Sequence, residues 1–161
     1  MIRLIKTGIA VFIALFCLFY AVQNLMNLQA AHGFVGLMAS MADHVAYPNH
    51  FGPAITSSAL VWVMLLIIIA GELLAGILAV RGALGMWQAR NEDAVAFQAA
   101  KTYALAACGV AILVWFGIFS SIGGAYFQMW QTPAGEGPLM HASTFSIQFA
   151  ALWVVLALKD D

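Results

Sequence analysis

The sequence predicts an all-α membrane protein: a four-transmembrane-helix bundle with a short amphipathic helix at the outer face and both termini cytoplasmic. Three observations carry that expectation. Of 161 residues, 64% are hydrophobic and only 8% are charged, against about 25% charged in water-soluble domains. Four apolar runs are long enough, at about 1.5 Å per residue, to cross about 30 Å of hydrocarbon: about Leu4 to Met26, Ala59 to Val80, Thr102 to Tyr126 and Met140 to Leu158. All six basic residues fall on one side of a four-span thread and all four histidines on the other, which is the positive-inside pattern.

Arg3 and Lys6 precede the first run, which exceeds the apolar core of a secretory signal and has no A-x-A cleavage site after it, so it reads as an uncleaved first span. Beyond Gln23 and Asn24, polar residues at headgroup depth, Phe34, Leu37, Met38, Met41 and Val45 recur near helical spacing and predict an amphipathic helix lying along the outer interface. Tyr47-Pro48-Asn49-His50 and Gly52-Pro53 end it with turn chemistry. Thr56, Ser57 and Ser58 offer N-caps for the second span. Arg81 to Lys101 carries most of the charge and reads as a helical hairpin at the cytoplasmic surface, with Arg90, Glu92, Asp93 and Lys101 on a solvated face. Pro133, Gly135, Gly137 and Pro138 mark the last connection as a loop. Tyr47, Trp62, Tyr126, Phe127 and Trp130 form an outer aromatic belt, with Trp87 and Tyr103 on the inner one. Residues 1–161 therefore form one integral membrane domain, with connections too short to build a soluble catalytic core.

Small residues spaced by four, Gly71 with Ala75 and Ala79, Ala107 with Ala111, and Ser121 with Ala125, let helix backbones approach closely; packing within the chain is the simplest use for them, and self-association the alternative. The net charge of −1 excludes a phosphate-neutralising surface and hence nucleic acid. Cys17 and Cys108 lie inside apolar runs, outside any CxxC context, and behave as small hydrophobes.

Glu72 is the only carboxylate within a span. Holding a charge there costs on the order of 3 kcal/mol or more, so an intramembrane acid is a functional candidate by default. Its neighbours Gly71, Ala75, Gly76 and Ala79 predict that it faces the bundle interior, as interhelical glue, as an ion-pair partner of Lys6 or Lys101, or as a proton or solute site. No second acid lies at the same depth to continue a relay. At the outer face Asp43, His44, His50 and His141, with His32 and Glu136 nearby, have the chemistry of metal ligands, although their spacing matches no metal motif. Tyr126, Trp130 and His141 could line a quinone site, but an aromatic belt is the simpler explanation of the same residues. Haem is disfavoured because the histidines sit at span edges. No cofactor is predicted, and no nucleophile-base pair, phosphate loop or HExxH motif is present.

Several runs, in order along nearly the whole chain, resemble a bacterial family of small predicted integral membrane proteins, domain of unknown function 2165. They are Phe34-Val35 with Ser40-Met41, Ala54-Ile55-Thr56-Ser57, Glu72-Leu73-Leu74, Gly82-Ala83, Phe97 with Ala100-Lys101, Trp115-Phe116-Gly117, Gly123-Gly124 and Met129-Trp130-Gln131. The resemblance implies four spans in a bacterial inner membrane and no established reaction. After the paired glycines, where the family carries an acidic residue and a tryptophan, this chain has Ala125 and Tyr126. An activity resting on that acid would not carry over.

Three functions follow as expectations. The first is a non-catalytic accessory or assembly subunit, with other membrane subunits or a second copy as partners besides the lipid bilayer. The second is a small proton or solute transporter or channel using Glu72, and the third an outer-face metal or redox protein. Orientation has a direct check: cysteine at Asn49 should react with an impermeant thiol reagent added outside intact cells, and cysteine at Asn91 only after the membrane is broken. The opposite labelling overturns the orientation.

Overall fold

The computed structural model describes residues 1–160. Helix α1 spans Ile2–Met26, α2 Leu28–Ser40, α3 Ser58–Gln88, α4 Ala94–Ala100, α5 Thr102–Ile112 and α6 Pro133–Ala157. A π-helical segment, Leu113–Tyr126, continues α5, and short 3-10 turns cover Ala89–Asn91 and Met129–Gln131. Four of these rods are long and apolar enough to cross a membrane: α1, α3 with its turn, α4 through the π segment, and α6.

Only Asn27 separates α1 from α2. Its backbone leaves the helical region (φ −124°, ψ 36°), while its side-chain amide donates to the carbonyl of Gln23 at 2.8 Å. The break re-aims the chain, so α2 packs across the first turns of α3: Gly36 lies against Val61, and His32 stacks on Trp62 at 4.4 Å. The expected amphipathic helix is present and packs on α3, with Met38 and Ala39 buried and the sulfur of Met38 turned to Thr132 and Gly135 at the start of α6. It stops at Met41 in the left-handed conformation (φ 52°), before Val45, which is exposed.

Two boundaries differ from the sequence expectation. Helix α3 runs to Gln88, about 46 Å at about 1.5 Å per residue. The expected hairpin is therefore built from the end of α3, a 3-10 turn and α4. Asp93 there accepts from the amide of Ala96 at 2.8 Å, as an N-cap. At the other end Ser57 occupies the N-cap of α3, but its side chain makes no capping bond. Helix α6 begins inside the expected loop. Thr132 accepts from the amide of Gly135 at 3.0 Å, and Pro133 follows at the first helical position, where its missing N–H costs nothing. Pro138 continues the helix at the loss of one intrahelical bond. A side chain at Gly135 would collide with the carbonyl of Met129 and meet the sulfur of Met38 at 2.8 Å, so only glycine fits.

The interior follows the small-residue pattern. Ala10, Ala14 and Cys17 of α1, Ala75, Ala79 and Ala83 of α3, and Ala104, Ala107, Cys108 and Ala111 of α5 form one buried core. Gly82 lets the backbones of α3 and α5 meet, because an added Cβ would lie 2.8 Å from the Cα of Ala104. Larger side chains gather where α1, α6 and the π segment converge. Phe16 packs edge-on against Trp115, Phe145 and Phe149, and Trp115 stacks on Phe149 at 5.3 Å.

One end of the bundle is closed by charge. Lys6 and Lys101 both ion-pair with Asp160, Lys6 at 3.0 Å. Both ammonium groups donate to the carbonyl of Leu158, at 2.6 and 2.8 Å, and Lys101 also donates to Gln98 at 2.8 Å. All three ionised groups are buried, so Lys101, expected on a solvated face, is instead turned into the bundle by its internal partners. Arg3 fastens the start of α1 to the same end by donating to the carbonyls of Glu92 and Arg90, at 2.6 and 3.3 Å. Burial pushes the Asp160 carboxyl up, but hydrogen bonds and charge from Lys101 and Lys6 outweigh it and hold the group below its ordinary value. Removing the carboxylate strands two buried cations. Asp160→Asn should cost about 3–5 kcal/mol, read as a fall in thermal unfolding temperature in detergent. The wild-type contribution is complete above the ordinary carboxylate range, about pH 4, and should fade as pH falls through the lower folded value. An unchanged melt for Asp160→Asn would remove the closure from the stability of the fold.

Candidate functional site

Glu72 lies near the middle of α3, about 21 Å along the axis from Ser58, and is 1% exposed. It faces the interior, as its small neighbours predict: Ala75 and Ala79 are fully buried, and Gly76 takes the side chain of Leu18 against its backbone. The carboxylate accepts from the side-chain amide of Asn24 at 2.9 Å. Lys6 and Lys101, the cationic partners the sequence offers, bond instead to Asp160. Asn24 itself lies about 27 Å up α1 from Lys6, so neither lysine is placed to neutralise Glu72.

Glu72 and Asn24 line an open cavity of about 480 Å³ between α1, α2, α3, the π segment and α6. Its apolar wall is aromatic, formed by Tyr20, Trp115, Phe119 and Phe145. Their rings are inclined to one another: Tyr20 meets Trp115 at 78° and 5.8 Å, and Trp115 meets Phe145 at 90° and 6.1 Å. The rim is polar, with Gln23, Asn27 and His141. The π segment shapes one wall. Its i to i−5 spacing is visible at Phe127, whose amide bonds to the carbonyl of Ile122 at 2.9 Å, and at Ser120, whose hydroxyl donates to the carbonyl of Trp115 at 3.2 Å. Such wide turns recur at functional sites. Ser143, Thr144 and Ser146 return their hydroxyls to carbonyls one turn back on α6, at 3.0, 3.0 and 2.7 Å, and so add nothing to the site.

The outer-face donors do not converge. His44 and His50 pack ring to ring at 5.6 Å, whereas His141 stacks on Phe145 at 6.0 Å beside the cavity. Among the described residues no three His, Cys, Asp or Glu side chains come together to hold a metal ion, so the set of Asp43, His44, His50 and His141 is not assembled. Burial and the neighbouring His50 hold His44 below its ordinary value, against smaller opposing effects from Asp43 and the backbone of Phe127. The quinone-type trio is likewise dispersed: Trp130 packs on Tyr47 at 5.4 Å, and Tyr126 on Phe51 at 5.1 Å, its hydroxyl donating to the carbonyl of Pro53. Sequence reasoning missed Asn24 as the partner of Glu72, along with the aromatic wall. The one available signal was the pairing of two amides, Gln23 and Asn24, with the helix-breaking Asn27.

Substituting the acid separates hydrogen bonding from charge. Glu72→Gln can still accept from Asn24 and should melt close to wild type, whereas Glu72→Leu strands the Asn24 amide and should lose about 0.6–2 kcal/mol. Equal stability of the two variants in detergent would refute the role of the Asn24 bond. No curated protein and no solved structure matches the chain. A family profile described as "Predicted small integral membrane protein (DUF2165)" matches residues 2–159. With four membrane-length helices and this match over nearly the whole chain, the protein belongs to that family of small multi-pass integral membrane proteins.

Proposed function

We propose that this protein binds a small solute within the membrane, in the cavity floored by Glu72 and Asn24, as the binding step of a small transporter. The observation that carries the reading is the coincidence, at one depth, of the only carboxylate buried within a span among the described residues, an aromatic-walled cavity and a π-helical wall. About 480 Å³ lies within the range of small-molecule sites, which are mostly apolar with a few placed polar groups. The positive-inside rule supports an orientation with the termini in the cytoplasm of a bacterial inner membrane, so that the cavity rim faces outward.

The accessory-subunit reading draws less support from the geometry. Of the small-residue faces that could have received a partner, those on Gly71, Ala75, Ala79, Ala107 and Ala111 are turned to neighbouring helices of the same chain, and only the short pair of Ser121 and Ala125 is exposed. A metal or redox role has no assembled donor set among the described residues to rest on.

Filling the cavity tests the proposal without touching its polar groups. Ala31 lines the cavity from α2. In lipid nanodiscs, wild type should bind neutral 1-aminoanthracene saturably, read as enhanced probe fluorescence, and Ala31→Trp should weaken that binding at least tenfold. Absence of a saturable component in wild type, or equal binding by both proteins, would overturn the cavity as a ligand site.

A further inference from the structure

Resting on the reading of the cavity as a ligand site, we infer that its occupant is a lipophilic organic monocation, a protonated or quaternary amine carrying an apolar body. The sign of the charge follows from the lining. Glu72 is the only acid in it, and no lysine or arginine lines it. The buried lysines that could have supplied a counter-charge are committed to Asp160 and the carbonyl of Leu158 at the far end of α1. Asn24 orients one carboxylate oxygen but brings no charge. Tyr20 and His141 are the other titratable groups in the lining, and neither supplies an anion's partner at the floor. An anion would therefore meet an acid with no cation to offset it, and beside a neutral ligand a carboxyl at this depth takes up a proton, so its charge is kept only where a cation offsets it. A monocation balances it.

The wall answers the same chemistry. Tyr20, Trp115 and Phe145 meet at steep angles, so their rings bound a shared space, and aromatic faces attract cations most strongly where water is excluded. Quaternary and protonated amines are the cations recognised by an acid and aromatic rings together; among the described residues no group of three His, Cys, Asp or Glu side chains is there to hold a metal ion instead. The volume leaves room for an apolar body beside the charged centre.

Two ions of the same shape and opposite charge provide the test. In phosphatidylcholine nanodiscs, tetraphenylphosphonium should bind wild type saturably, and at least tenfold more tightly than tetraphenylborate. Glu72→Gln should lose at least tenfold in phosphonium affinity, about 1.4 kcal/mol, while Glu92→Gln, which removes an exposed acid outside the cavity, should bind as wild type. Borate binding as tight as phosphonium, or unchanged phosphonium affinity in Glu72→Gln, overturns the inference. The wild-type comparison of the two ions decides even if Glu72→Gln fails to fold. When 1-aminoanthracene still binds saturably, such a failure falls on the cation alone; when that neutral probe also fails, the cavity reading falls with it.

Discussion

Hydrocarbon offers no hydrogen-bond partner, so every polar group carried into this bundle must find its partner inside the chain. That constraint is met differently at two depths. At the basic end, Lys6 and Lys101 share one carboxylate and the carbonyl of Leu158, just past α6, drawing α1, α5 and the residues after α6 together. Near the middle, Glu72 takes a neutral amide from α1. The first solution concentrates charge and pairs it. The second sets an acid without a cationic partner beside the aromatic-walled cavity.

The cavity is a consequence of side-chain size along the helices. Below Glu72, alanine, glycine and cysteine let α1, α3 and α5 close on one another, with the backbone of Ala104 reaching Gly82. At and above Glu72 the break at Asn27 turns α2 across α3, and the π segment widens the third rod. Aromatic rings there fill less than the separation they create, and the remaining volume is bounded by their faces. Phe16, Phe149 and Trp115 form the packed layer between the tight and open halves.

This arrangement weighs the functional readings against one another. A relay of protons would call for successive titratable groups at different depths, and the lysine–aspartate closure is separated from Glu72 by an apolar layer. A metal centre would call for donors that the fold instead distributes between the α2–α3 connection and α6. A single binding position, built from one acid, one amide and an aromatic wall, uses the groups present where they stand.

Spans, their order, the segregation of basic residues at one end and the inward face of Glu72 were legible in the sequence, because hydropathy, charge placement and small-residue spacing are properties of consecutive residues on one helix. The ends of helices were less so. Thr132 and Pro133 start α6 where the glycine and proline content reads as a loop, since Pro138 is tolerated once the helix is nucleated before it. The partners were not legible. Counting along the chain puts Asn24 at headgroup depth, but the break at Asn27 passes the outer layer to α2 and leaves Asn24 level with Glu72. The same holds for the lysines, which bond to Asp160 rather than to an acid that lies, for Lys6, level with Asn24, about 27 Å further along α1. Depth along a single helix is written in its own residues; which helices meet, at what tilt and with what gap between them, depends on contacts between distant residues, and only the tertiary structure decided it.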